Sequence, residues 1–211
     1  MTLIIIIITV LISYRAFTDQ QLRGQLMFLP TAVSERGEYY RFLTHGFVHS
    51  DFRHLLFNMW AFYIFGREAE AIFEQALFGP TYGKLAFLLF YAAAIVAASI
   101  PDYLRHQHNR SYASLGASGG VAALIWPFAM AAPWAWFIFP PLPAFLLGIA
   151  YIGYSYYADK QGNSNIGHNA HLWGAVFGLI AYVVLALTQA PFLIDLFFEQ
   201  LMQPQPPQFL G

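Results

Sequence analysis

Residues 111–158 read SYASLGASGGVAALIWPFAMAAPWAWFIFPPLPAFLLGIAYIGYSYYA, without one Asp, Glu, Lys or Arg. As a single α-helix rising 1.5 Å per residue this run would reach roughly 70 Å, over twice the thickness of a bilayer's hydrocarbon core. It therefore folds back on itself. Pro133, Pro140, Pro141 and Pro143 mark the place, because proline removes a backbone donor and ends or kinks a helix. Two spans are expected, near 116–133 and 142–157.

The rest of the chain follows the same pattern. Met1–Tyr14 is uncharged and holds an isoleucine run, which predicts a first span ending near Phe17. A cleaved signal peptide is the competing reading, but nothing basic precedes Arg15 to form its n-region. A second helix is expected over Asp51–Gly66, a third over Tyr82–Tyr103 and a sixth over His168–Thr188. Between the first two lies Thr18–Thr44, a mixed segment whose length implies short helices of its own or a functional role. After Pro191 come an amphipathic turn or two and a disordered QPQPPQ tail. No internal repeat suggests a transporter with inverted halves. The expected fold is an all-α membrane protein, one compact six-helix domain over residues 1–190 with a short tail over 191–211.

Composition excludes other classes. Of 211 residues, 58% are hydrophobic and only 10% charged, whereas soluble domains carry roughly 25% charged residues. Such a chain has too few charges for a soluble surface and too much apolar content for disorder. Ten Lys and Arg against a net charge of −1 form no basic face, so a nucleic-acid partner is not expected. With no Cys, disulfides, thiolate metal sites and a cysteine nucleophile are excluded.

Polar residues inside a membrane domain are functional candidates by default. Gly116-Ala117-Ser118-Gly119-Gly120 opens the fourth span, with Gly116 and Gly120 forming a small-xxx-small pair for close helix approach. His171, Gly174 and Gly178 share one face of the sixth span. Helices four and six meeting through their glycines would set the Ser118 hydroxyl beside the His171 imidazole, a nucleophile and its base. His54 and Asn58, at i and i+4, supply two neutral hydrogen-bond donors on the second helix, suited to an oxyanion hole. Each group also has a plainer reading: a packing face with a tolerated serine, a structural histidine, and helix–helix glue. Their joint occurrence on three spans favours the chemistry. No acidic residue is expected beside His171, so the arrangement is a Ser–His dyad. A buried imidazole stays neutral and can accept a proton at pH 7.

These residues resemble the rhomboid intramembrane serine proteases. The similarity rests on GASG around Ser118, AHLWG around His171 with Gly178 following, and HGFVHSDFRHLLFN through His45, His49, His54 and Asn58. Gly66 followed by Glu70 fits the same pattern, and the likeness runs from about Arg41 to Gly178. The resemblance implies Ser118 as nucleophile, His171 as general base, and His54 and Asn58 as oxyanion donors. It implies cleavage of single-pass membrane proteins in or near their transmembrane segments, with no cofactor and no metal. It also implies a half-immersed segment at 18–44, lipid contact, and residence in the bacterial cytoplasmic membrane. The loop over 159–167, with Gly162, Asn163 and Ser164, would cover the site, and His168 would line it or cap its helix. Two departures stand out: Ala122 replaces an aromatic residue that supports the histidine in many members, and Tyr40-Arg41 replaces Trp-Arg.

Arginines cluster on the proposed active-site face, so the positive-inside rule would turn that face to the cytoplasm; the resemblance turns it outward, and we keep the latter. Two rival functions remain. One is a non-catalytic relative that binds transmembrane helices. The other is a His-ligated redox or metal protein, given His45, His49 and His54, although no HExxH motif is present.

Overall fold

The computed structural model describes residues 1–162 and 167–207, and these are helical, with isolated bridges but no strand. Five long helices and one broken helix form the bundle around the site. They are α1 (Thr2–Thr18), α5 (Phe52–Ile72, continued by a wider turn over Phe73–Leu77), α6 (Gly79–His106), α9 (Ala144–Gln161) and α10 (His168–Gln189) around α7 (Ser118–Ala123) and α8 (Ile125–Ala131). Shorter helices α2 (Gln20–Leu26), α3 (Pro30–Arg36) and α4 (Arg41–Thr44) fill the connecting segment, and α11 (Phe192–Leu201) follows the bundle.

Helices α1 and α10 bury small or polar residues and turn large apolar ones outward. Helix α1 buries Thr2, Thr9, Ser13 and Ala16 beside Ile5, while Leu3 and Leu11 are 57% and 65% exposed. Helix α10 buries Gly174, Ala175, Gly178 and Ala186 and turns Ile180, Val184 and Leu187 outward. In lipid the tails are as apolar as leucine, so helices gain by close backbone approach and hydrogen bonds, which small residues permit. Two helices, Gly79–His106 and His168–Gln189, are long and apolar enough by themselves to cross a membrane.

Several boundaries differ from expectation. The fourth span is not one helix from 116. Gly116 has φ +120°, outside the helical region, so the helix begins at Ser118 and breaks at Leu124. Pro127 lacks the N–H that would bond the Ala123 carbonyl, which is why the two halves do not join. Helix α5 runs past Gly66 to Ile72, because Glu70 is held by the Thr2 N–H at 2.7 Å and by the Met1 amino group. After α11 residues 204–207 take no regular structure; the Trp136 indole donates to the Gln205 carbonyl at 2.8 Å, and that of Trp134 to the Gln200 carbonyl within α11 at 3.0 Å.

The connecting segment is fastened by Arg41, only 4% exposed. Its guanidinium donates to the Gly24 carbonyl at 2.9 Å, the Met27 carbonyl at 2.6 Å and the Glu38 carboxylate at 2.5 Å. Arg41 is thus part of the fold and not a free loop charge. Hydrogen bonds from Arg36 and Arg41 hold the Glu38 carboxyl well below the ordinary carboxylate range, at about 2. A depressed folded-state value contributes stability above the unfolded value, and that contribution fades as pH falls through the folded one. Amide exchange in residues 20–44 should therefore accelerate between about pH 4.5 and pH 2 relative to α10, and Glu38→Gln should remove the pH dependence.

Candidate active site

The loop before Ser118 is held from three sides by the segment that leads into α5. Gly116 N–H donates to the His45 carbonyl at 2.9 Å. Ala117 N–H donates to His49 Nε2 at 3.3 Å. His49 Nδ1 lies 2.9 Å from the Ser13 hydroxyl, which donates to the Phe47 carbonyl at 2.8 Å. The single Ser13 proton is spent on Phe47, so His49 donates from Nδ1 and accepts at Nε2. The third contact is His54: a Cβ on Gly116 would fall 2.7 Å from its Cε1 and 2.9 Å from its Nε2. Only glycine satisfies both the positive φ and this close approach.

Ser118 then opens α7, which packs directly on α10. A Cβ on Gly174 would overlap the Gly119 carbonyl oxygen, and one on Gly178 would overlap the Ala123 backbone. A Cβ on Gly119 would sit 3.2 Å from the Ala170 carbonyl. The partners of Gly174 and Gly178 are therefore Gly119 and Ala123. Gly116 and Gly120, expected to form the facing pair, lie elsewhere: Gly116 against His54, and Gly120 against Ile95 and Tyr91 of α6. Gly116 precedes the helix, and Gly119 and Gly120, adjacent within it, point about 100° apart and so meet different neighbours.

Ser118, His171, His54 and Asn58 all line one cavity of about 1140 Å³. Among the described residues the Ser118 hydroxyl makes no hydrogen bond to His171, and hydrogen bonds at catalytic sites are often long in unliganded proteins. Asn58 spends one amide N–H on the His54 carbonyl at 2.9 Å, leaving the second for the cavity. Asp51 caps α5 by accepting from the His54 N–H at 3.0 Å, and the Ser50 hydroxyl stands 3.0 Å from His54 Nδ1. His168 lines the cavity as a 7% exposed side chain. Of the expected cover, Asp159 is bound to Arg105 at 3.1 Å; Asn163 and Ser164 lie outside the described residues.

Two neighbours were not foreseen. Tyr151, on α9, stacks on His171 with ring centroids 5.8 Å apart and planes 27° apart. Ser13 acts on the serine loop through His49 across 36 residues of sequence, so no local pattern announces it.

The family model described as "Rhomboid domain" matches residues 36–188. The chain belongs to the rhomboid family. It is 32% identical over 184 residues, 82% of its length, to "RHOMBOID-like protein 12, mitochondrial" of Arabidopsis thaliana, covering 54% of that protein. It is 32% identical over 88 residues to "Putative rhomboid protease YdcA" of Bacillus subtilis, 42% of this chain and 39% of that one. Over 100 residues it is 31% identical to "Rhomboid protease GlpG" of Haemophilus influenzae, 47% of this chain and 45% of that protein. The matches thus span about half or less of each relative. Rhomboid-family proteins are integral membrane proteins, in keeping with the apolar outward faces of this bundle.

The packing of this rhomboid-family chain makes a sharp prediction. Gly174→Ala should lower thermal stability in detergent by about 1–3 kcal/mol, through overpacking against backbone that cannot yield. Gly153→Ala, within α9 and with nothing within 4 Å of the new methyl, should hold or raise the unfolding temperature, since alanine favours the helix over glycine. Equal behaviour of the two variants would refute the tight α7–α10 contact.

Proposed function

We propose that this chain is a serine endopeptidase of the six-span rhomboid type, cleaving single-pass membrane proteins in or near their transmembrane segments. The observation that carries this reading is the shared cavity of Ser118, His171, His54 and Asn58, with Gly116 pressed against the His54 ring. The six spans are α1, α5, α6, the broken α7–α8, α9 and α10. They form the protease domain, and the 18–44 segment is half-immersed beside it.

In this mechanism the Ser118 Oγ attacks the scissile carbonyl while His171 takes its proton. Three donors surround the oxyanion. The Ser118 N–H opens a helix and has no intrahelical acceptor. Asn58 offers its second amide N–H. His54 contributes Nε2–H, in the tautomer whose Nδ1 accepts from Ser50. Losing one such donor typically costs about 10²–10³ in rate. His171 then protonates the leaving amine, and water entering by the cavity hydrolyses the acyl-enzyme. Tyr151 braces the His171 ring in place of the family's aromatic. Transmembrane substrates and lipid are the partners, with no role for metal or cofactor.

A non-catalytic role in binding transmembrane helices is the second reading, prompted by the Arabidopsis relative, which is named a rhomboid-like protein and not a protease. One experiment separates them. Purified protein in liposomes should cleave a single-pass test substrate; Ser118→Ala and His171→Ala should not, while still binding it. Binding without cleavage by the unmodified chain would favour the second reading. Within the enzyme, Tyr151→Ala should lower kcat up to about ten-fold, the scale of an aromatic pair, and Tyr151→Phe should keep it.

A further inference from the structure

Asp102 is a 2% exposed carboxylate near the end of α6, and no role described above uses it. It lines the same cavity as Asn169 and His171. A buried carboxylate is costly unless it is well hydrogen-bonded. Its Oδ1 accepts from Asn169 Nδ2 at 2.5 Å, and the Tyr112 hydroxyl lies beside the same group. The Tyr112 ring is itself fixed, stacked on His106 with centroids 3.8 Å apart and planes 6° apart. Arg105, one turn along, directs its guanidinium to Asp159. Among the described residues, then, the hydrogen bond that Asp102 accepts comes from a neutral amide, that of Asn169 on α10.

What it meets there is the second residue of α10. The first turn of a helix carries unpaired N–H groups and the positive end of the helix dipole, which an anion stabilises. Helix α10 provides no such group: Gly167 offers no capping side chain, and the first turn holds no acidic residue. An acidic side chain reaches this turn from α6, through the Asn169 amide. The same turn bears Ala170, whose carbonyl faces Gly119, and His171 follows directly. We propose that Asp102 is a positioning residue: by holding Asn169 it fixes the rotation and depth of the first turn of α10, and so sets the His171 imidazole against Ser118. This role rests on the proteolytic reading above. It differs from a triad acid, because the ring neighbours of His171 are Tyr151 and His168.

Asp102→Asn keeps the size and a hydrogen bond to Asn169 but removes the charge. The rate at which an alkyl fluorophosphonate labels Ser118, located by mass spectrometry, should fall about ten-fold, the scale of a hydrogen bond to a charged group. For the test substrate kcat should fall by the same factor with KM unchanged. The reciprocal double variant, Asp102→Asn with Asn169→Asp, returns an acid to the first turn of α10 and should restore most of the rate. Labelling of Asp102→Asn at the wild-type rate, or a folded double variant as slow as the single one, overturns the role. Should Asp102→Asn fail to fold, Asn169→Ala decides in its stead: a similar loss supports the role and wild-type labelling overturns it. Wild-type protein that takes no probe at Ser118 would remove the proteolytic reading itself, a result distinct from any of these.

Discussion

The structure depends on the direct backbone contact between α7 and α10. Gly174 lies against the Gly119 carbonyl and Gly178 against the Ala123 backbone. In lipid no hydrophobic force drives two helices together, so close van der Waals approach has to supply the attraction. A methyl group at either position would occupy space that backbone already fills. That contact sets the spacing between the helix bearing the serine and the helix bearing the histidine. It also accounts for the small residues of α10 that face α7, with Ile180, Val184 and Leu187 turned outward.

Around this contact the remaining polar groups form a frame for one loop. The His45 carbonyl, the His49 ring and the His54 ring hold residues 116–117, and Ser13 holds His49 in turn. Each of the three closely spaced histidines therefore has its own partner: Ser99 for His45, Ser13 for His49 and Ser50 for His54. Buried polar groups in a membrane domain are expensive unless satisfied. Here their hydrogen bonds rigidify the turn that presents Ser118. Preorganised donors around a developing charge are the largest single source of catalysis in acyl transfer, and a fixed turn is what preorganisation requires.

Much of this was legible in the chain because it is local. The uncharged stretch 111–158 with its prolines forces a hairpin of helices. The spacing of His54 with Asn58, and of His171 with Gly174 and Gly178, follows from the helical period alone. The Ser118 and His171 motifs are contiguous. What escaped was the set of contacts made between distant segments. Gly119 and Ala123, not Gly116 and Gly120, meet α10, because the positive φ at Gly116 delays the helix start. Asp102 and Asn169 are 67 residues apart, and Tyr151 stands on a helix without a motif. The break at Leu124 is hidden because Pro127, which frees the Ala123 carbonyl, falls inside the apolar stretch expected as one span over 116–133.

The most direct measurement is an experimental structure of the protein carrying a phosphonate on Ser118, a mimic of the tetrahedral intermediate. The account predicts the adduct on the Ser118 Oγ, its phosphonyl oxygen within hydrogen-bond distance of His54 Nε2 and the Asn58 amide, and the His171 ring packed between the serine and Tyr151. An adduct on another residue, or a phosphonyl oxygen turned away from His54 and Asn58, would contradict it.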